Sequence, residues 1–328
     1  MIKALSRTNF HLLASFAWLQ KIGPAGFTGL TMALLVFAMT ATADAQQSFK
    51  SAAEAADALV KAVKSDDQKG ILAVLGPDGA SIASSGDEVE DAAARKRFID
   101  AYDAKHQINP DGDQKAVLVI GDQDWPFPIP IVRKDDSWRF DTAAGGEEIL
   151  DRRIGRNERA AIQASLAYVD AQNDFANLTR ARTGTAAYAQ RIVSLPGKKD
   201  GLYWPTEPGE NPSPLGELVA SATTEGYHVG GGRTPFHGYY YRILTRQGPA
   251  AAGGAYDYIA HGKMIGGFAL VAYPAIYRNS GVMTFLVNHE GTVFEKDLGP
   301  HTANIAEHMA AFNPDDTWKK VTVEAPDQ

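Results

Sequence analysis

None of the 328 residues is cysteine. That absence removes disulfides, thiol nucleophiles and thiolate metal sites together, so whatever this chain folds into must be held by burial alone. The constraint bears hardest on an exported protein, and the N-terminus reads as an export signal. Lys3, Arg7 and Lys21 make a basic leader, the uncharged stretch from Phe27 to Met39 is apolar, and Ala43-Asp44-Ala45 offers small residues at a cleavage site. The apolar stretch is shorter than the ~20 residues that a membrane-spanning helix needs. The expectation is a signal peptide over residues 1–45, removed ahead of Gln46, and a periplasmic or secreted product with no membrane attachment after cleavage. Without the leader, 32 basic and 39 acidic residues become 29 and 38, a formal charge of −9, which excludes nucleic acid as a partner. The remaining length is enough to bury a sizeable core and suggests two domains.

The hydrophobic period places the division. Residues 49–104 are alanine-rich and helical in pattern, with Phe49, Ala52, Ala56, Leu59, Val60 and Val63 on one face behind the capping spacing Ser51-Ala-Ala-Glu54. Ser65-Asp-Asp-Gln68 repeats that spacing before a second helix, which Gly76-Pro77-Asp78-Gly79 ends, and Asp87 caps a third helix carrying Phe98 and Tyr102. From about residue 115 the period becomes that of strands, at 116–120, 129–132 and 138–140, and prolines 126, 128 and 130 push the middle strand to an edge or past Pro130. A long helix over roughly 145–180 carries Ile162, Leu166, Val169 and Phe175, followed by a proline-rich crossing from Pro196 to Pro214 pinned by Tyr203 and Trp204. Four strands, at 239–245, 268–273, 282–287 and 292–296, complete the pattern, with Asn288-His-Glu-Gly291 as a hairpin turn. The fold class expected is α+β: N-terminal helices with a small antiparallel sheet over 49–145, then a long helix packed on a second antiparallel sheet over 150–325.

Chemistry is harder to find. Seven histidines follow the leader, none in HExxH or HxH spacing, and Asn109-Pro-Asp-Gly-Asp113 has proline where a calcium loop needs freedom, so neither metal nor cofactor is expected. Ser84-Ser85-Gly86-Asp87 is the nearest serine candidate, but a loop whose Asp87 caps the next helix explains the same residues. Glycine clusters at 230–232, 253–254 and 266–267 do not sit between a strand and a helix start, as a phosphate cradle requires. No catalytic residue is named. The aromatic residues concentrate in the second half. Alternation along a strand turns Tyr240 away from Tyr239 and Tyr241 and sets it beside Arg242. Tyr240, Arg242, His237 and Trp204 are therefore the candidate binding residues, suited to a carboxylate-bearing or sugar-like ligand or an acidic partner.

Phe49 to Leu75, Ser84-Ser85-Gly86-Asp87, Gly238-Tyr-Tyr-Tyr-Arg-Ile-Leu244, Gly267-Phe-Ala-Leu270 and Asp297-Leu-Gly299 together resemble a bacterial family of exported proteins catalogued as domain of unknown function 2950 (DUF2950). The likeness covers nearly the whole chain after the leader and implies no reaction, cofactor or catalytic residue. Asn157 to Asn177, Phe285-Leu-Val-Asn288 and Gly291-Thr-Val-Phe294 look like the globular head of type II secretion pseudopilins. The residues before Asn157 are Glu147, Glu148, Asp151, Arg152 and Arg153 instead of the apolar anchor helix of that family, so only the shape of the head is implied. The expected function is a non-enzymatic binding or envelope-associated module whose partner is an envelope protein or a small ligand. Its rivals are a hydrolase acting on an envelope polymer and a structural partner in a secretion or envelope assembly. The exported form is expected to begin at Gln46; intact-mass analysis of the purified protein checks this, and a mass that retains residues 1–45 would refute it.

Overall fold

The computed structural model describes residues 46–228 and 233–322. All of them belong to one compact unit, Ala43–Gln328. The expected signal peptide and the whole of the 230–232 glycine cluster lie outside the described residues. No helix among the described residues is long and apolar enough to cross a membrane.

The first half opens with helices whose starts follow from their caps. In α1 (Ala52–Lys64) the Ser51 hydroxyl accepts the Glu54 amide at 3.1 Å, and the Glu54 carboxylate accepts the Lys50 amide at 3.0 Å. Ser65 does not start the next helix as its spacing suggests. Its hydroxyl turns back to donate to the Lys61 carbonyl and closes α1, Asp66 makes the turn at φ 51, and Asp67 caps α2 (Gln68–Leu75) through the Gly70 amide. Two capping residues lie within one turn there, and the helix end takes the first. A short α3 (Ala80–Ala83) leads to α4 (Glu88–Ala104), capped by Asp87. Helices α1 and α2 and the strands behind them enclose a hydrophobic cluster around Leu59, Ile71, Leu118, Ile131 and Phe140.

The first sheet has five antiparallel strands: β1 (His106–Pro110), β2 (Lys115–Ile120), β3 (Trp125–Pro126), β4 (Ile131–Lys134) and β5 (Ser137–Phe140), in the order β1-β2-β4-β5 with β3 also on β2. β4 begins after Pro130, as a residue without an amide hydrogen dictates. β1 escapes a reading by alternation because four of its five residues are exposed.

The long helix, α5 (Thr142–Thr183), runs 42 residues from an Asp141 cap to Gly184, which takes a left-handed conformation at its end. The expected boundary at 145–150 therefore falls inside its first turns. A glycine is required at 145, since a methyl group there would collide with the Pro128 carbonyl. Beyond it come α6 (Gly216–Glu225), two short hairpins β7 (Arg246–Gln247) with β8 (Tyr256–Asp257) and β9 (Ile259–Ala260) with β10 (Lys263–Met264), and the second sheet. That sheet holds β6 (Tyr239–Leu244), β11 (Ala269–Pro274), β12 (Met283–Asn288), β13 (Val293–Asp297) and a fifth strand, β14 (Lys319–Lys320), in the order β14-β13-β12-β11-β6, all antiparallel. The two-residue β14 is exposed and carries no alternation, which is why four strands were expected. α5 lies on one face, where the Glu158 carboxylate accepts the Val282 and Met283 amides at 2.9 Å and the Tyr168 hydroxyl donates to the Ala269 carbonyl. On the other face lie α7 (Thr302–His308) and Phe312, whose ring meets Phe294. Covered on both sides, β11 is buried at every residue. This second cluster centres on Tyr239, Phe268, Val271 and Phe285.

Buried polar groups join the two halves. The Asp87 carboxylate, 1 % exposed, accepts the Glu90 amide at the start of α4 and, with its other oxygen, both the Tyr227 hydroxyl and the Gly238 amide at 2.8 Å. Arg153 of α5 donates to the Ser81 and Ile82 carbonyls at 2.7 Å and to the Asn279 side chain, whose own amide donates to the Ser84 carbonyl at 2.9 Å. Burial pulls the Arg153 guanidinium below its ordinary pKa, and the nearby Asp91 charge opposes that. Asn157 reaches the Ser280 carbonyl at 2.9 Å beneath Gly238, whose φ of 74 and absent side chain leave room for it. Asp87→Ala removes a helix cap and two charge-assisted bonds at once and leaves buried donors unpaired, so it is expected to cost about 3 kcal/mol. Urea unfolding measures this; a loss under about 1 kcal/mol would show that the capping bond alone matters.

Candidate functional site

The proline-rich crossing runs along the second half and delivers α6 beside the second sheet. Val193 bridges to Tyr203, and Leu202 and Leu215 are buried in the core, so the crossing is anchored where Tyr203 and Trp204 were expected to pin it. Between α6, the middle of α5 and the segment 233–241 lies a cavity of about 340 Å³. Five aromatic rings share its wall with aliphatic side chains from α5, α6 and the crossing. Tyr227 meets Phe236 edge-on at 5.0 Å, and Tyr168, Tyr240 and Tyr241 close the side towards the sheet.

This wall is aligned by the same carboxylate that caps α4. The Tyr227 hydroxyl donates to Asp87 and accepts the His237 amide at 3.1 Å, which fixes the turn in which His237 and Gly238 both take positive φ and Phe236 pairs with Tyr239. Burial first, and the Asp87 charge second, push the Tyr227 and Tyr241 phenols well above their ordinary pKa. Burial does the same for Tyr168, against a hydrogen bond from Gln172. The phenols therefore stay protonated at neutral pH and serve as neutral hydrogen-bonding groups.

The four residues singled out in the sequence are placed differently from one another. Tyr240 lines the cavity and packs, with its ring tilted, 5.8 Å from that of Tyr273, its partner across the β6–β11 pair. Arg242 shares that face of β6 but lies under the end of α7, where its guanidinium donates to the Ala306 and Met309 carbonyls, and burial lowers its pKa. The position is suited to a cation, because a helix C-terminus carries unpaired carbonyls and partial negative charge. His237 packs its ring on Phe236 at 4.2 Å just outside the cavity, with Nε2 3.2 Å from the Glu225 carboxylate. Trp204 is buried and lines a neighbouring cavity that shares only Val219 with the first.

The cation beside Tyr240 is Arg233. Its guanidinium lies 4.5 Å from the Tyr240 ring centre and 5.6 Å from that of Tyr273, donates to the Tyr273 hydroxyl, and pairs with Glu307 at 2.8 Å. No pattern marks it in the sequence, since it follows a glycine cluster and precedes no periodic run. Ser85, the other candidate, donates its amide to Asp91, while its hydroxyl accepts the Asp87 amide, in a loop that serves the α4 cap. No group of three or more His, Cys, Asp or Glu side chains that could hold a metal ion occurs among the described residues.

A family model described as "Protein of unknown function (DUF2950)" matches residues 46–321. No curated protein and no solved structure matches the chain. The match begins where the described structure does, at Gln46, whose side chain donates to the Val74 and Phe140 carbonyls.

Arg242 and Tyr240 should separate in their effects. Arg242→Ala strips the last α7 carbonyls of a charged donor and is expected to lower stability by about 2 kcal/mol, whereas Tyr240→Ala leaves α7 in place. Hydrogen exchange of the α7 amides checks this, and unchanged protection in Arg242→Ala would contradict it.

Proposed function

This chain belongs to the DUF2950 family, whose description assigns no reaction, and we propose, from its leader sequence, that it is exported, periplasmic or secreted, and, from the geometry of the cavity, that it is a non-enzymatic binding module. Its ligand is small, with an aromatic or sugar face and a carboxylate. The observation that carries this reading is Arg233 poised over Tyr240 at the aromatic cavity. A guanidinium held by ring faces is already oriented, so less freedom is lost when it pairs with a carboxylate in the two-pronged geometry it favours. Its present partner, Glu307, is about half exposed, as is Arg233 itself. Such surface pairs contribute little, so a ligand carboxylate can displace Glu307 at small cost. The cavity volume of about 340 Å³ stands at the small end of the ~300–1,000 Å³ of ligand pockets. The phenols around it are neutral and their protons are held by groups of the fold, Tyr227's by Asp87 and Tyr168's by the Ala269 carbonyl, so they offer neither an acid nor a base, which favours binding over catalysis.

A structural role in an envelope assembly remains the second reading. It draws on the packing of α5 against an antiparallel sheet, the layout that the pseudopilin resemblance implies.

The binding reading is tested by incubating the protein with the small-molecule fraction of a cell-envelope extract, repurifying it, and identifying by mass spectrometry what denaturation releases. A carboxylate-bearing compound that is retained by the wild type and lost from both Arg233→Ala and Tyr240→Ala is the expected result. Equal retention by both variants, at wild-type stability, would move the site away from this cavity.

A further inference from the structure

A second cavity, of about 400 Å³, opens between α1, α4, the N-terminal part of α5 and the first sheet. It is separate from the aromatic cavity and shares no lining residue with it. Its interior is mostly hydrocarbon: Leu59 and Val63 from α1, Phe98 from α4, Ile120 from β2, Phe127, and Ile149 from α5. Five arginines also line it, Arg95 and Arg97 from α4 and Arg152, Arg153 and Arg156 from α5. Three of them, Arg97, Arg152 and Arg156, have side chains about half exposed, so they stand at the mouth while the apolar residues form the walls.

The charge around this mouth does not balance. Arg95 pairs with Asp66 at 3.1 Å and Arg152 with Glu148. Glu90 serves two guanidiniums, Arg97 at 2.8 Å and Arg156 at 3.5 Å. Asp91, the one carboxylate lining the cavity, engages both of its oxygens with the Ser85 amide. Arg153 makes no ion pair among the described residues and donates instead to two carbonyls and an amide oxygen. At the mouth itself three guanidiniums, of Arg97, Arg152 and Arg156, thus face two carboxylates, Glu90 and Glu148, and Arg156 holds only half a partner. An apolar pocket rimmed by surplus guanidinium charge is complementary to a molecule with one hydrocarbon tail and one anionic head.

We propose that this pocket binds a single-chain amphiphile with an anionic head, its tail among Val63, Phe98 and Ile149 and its head at Arg97, Arg152 and Arg156. The tail gains by leaving water, and the head replaces the long Arg156–Glu90 contact with a charge-assisted bond. The cation–π contact of Arg152 with Trp125, 5.5 Å from the ring centre, keeps one donor at the mouth when the pocket is empty and when it is filled.

The probe is dodecanoate, titrated calorimetrically into the full chain, with dodecanol as the tail without the charge and acetate as the charge without the tail. One saturable dodecanoate site, much weaker dodecanol binding and no acetate binding are expected. Arg156→Gln should weaken dodecanoate about tenfold, the scale of a lost hydrogen bond to a charged group, and leave dodecanol unchanged. Ala94→Trp and Ile149→Trp each place an indole in the pocket and should abolish binding of both chains; the second variant serves if the first fails to fold. Absence of saturable dodecanoate binding would overturn the proposal. So would acetate binding as tightly as dodecanoate, or dodecanoate binding undiminished in a folded pocket-filled variant.

Discussion

The carboxylate of Asp87 is the point on which the rest of the structure depends. One of its oxygens begins α4 and the other receives a hydroxyl and an amide from a turn 140 and 151 residues further along the chain. A buried charge is tolerated only when its bonding capacity is filled, and here filling it requires both halves to be folded. Arg153 acts in the same way with opposite sign. Its guanidinium has partners in α3 and in the turn before β12, so α5 is tied to both. With no cysteine in the chain, polar bonds of this kind and burial are what join the two hydrophobic clusters.

Both cavities inherit their geometry from that junction. The aromatic cavity is walled by Tyr227, which Asp87 orients, and by the turn at His237 and Gly238 that the same carboxylate holds. The arginine-rimmed cavity lies between α4, whose start Asp87 sets, and α5, which Arg153 anchors. A displacement of the junction would therefore move one wall of each. Walls fixed by the fold's own buried bonds need no ordering of their own, which is the condition under which a ligand would lose least on entering.

The elements were legible wherever a period or a cap announced them. The face from Ala52 to Leu59, the Asp87 cap, the strand beginning after Pro130 and the buried strands from Tyr239 onward all stand where local pattern put them. β1 and β14 were invisible because exposed edge strands need no alternation, and Ser65 misled because two caps compete within one turn. The site was less legible for a different reason. Alternation set Arg242 and Tyr240 on one face of β6, but whether that face is open depends on α7, more than sixty residues away. Arg233 reaches Tyr240 through a turn that no spacing encodes. Likewise the five arginines of the other cavity are scattered over two helices and meet only when α4 and α5 pack.

Native-state hydrogen exchange in rising urea tests most directly whether this junction makes the two clusters one cooperative unit. The amides of β2, in the first cluster, and of β12, in the second, are the probes. Both sets are expected to converge on one opening free energy with one urea dependence. Separate isotherms, with β12 still protected after β2 has opened globally, would contradict it.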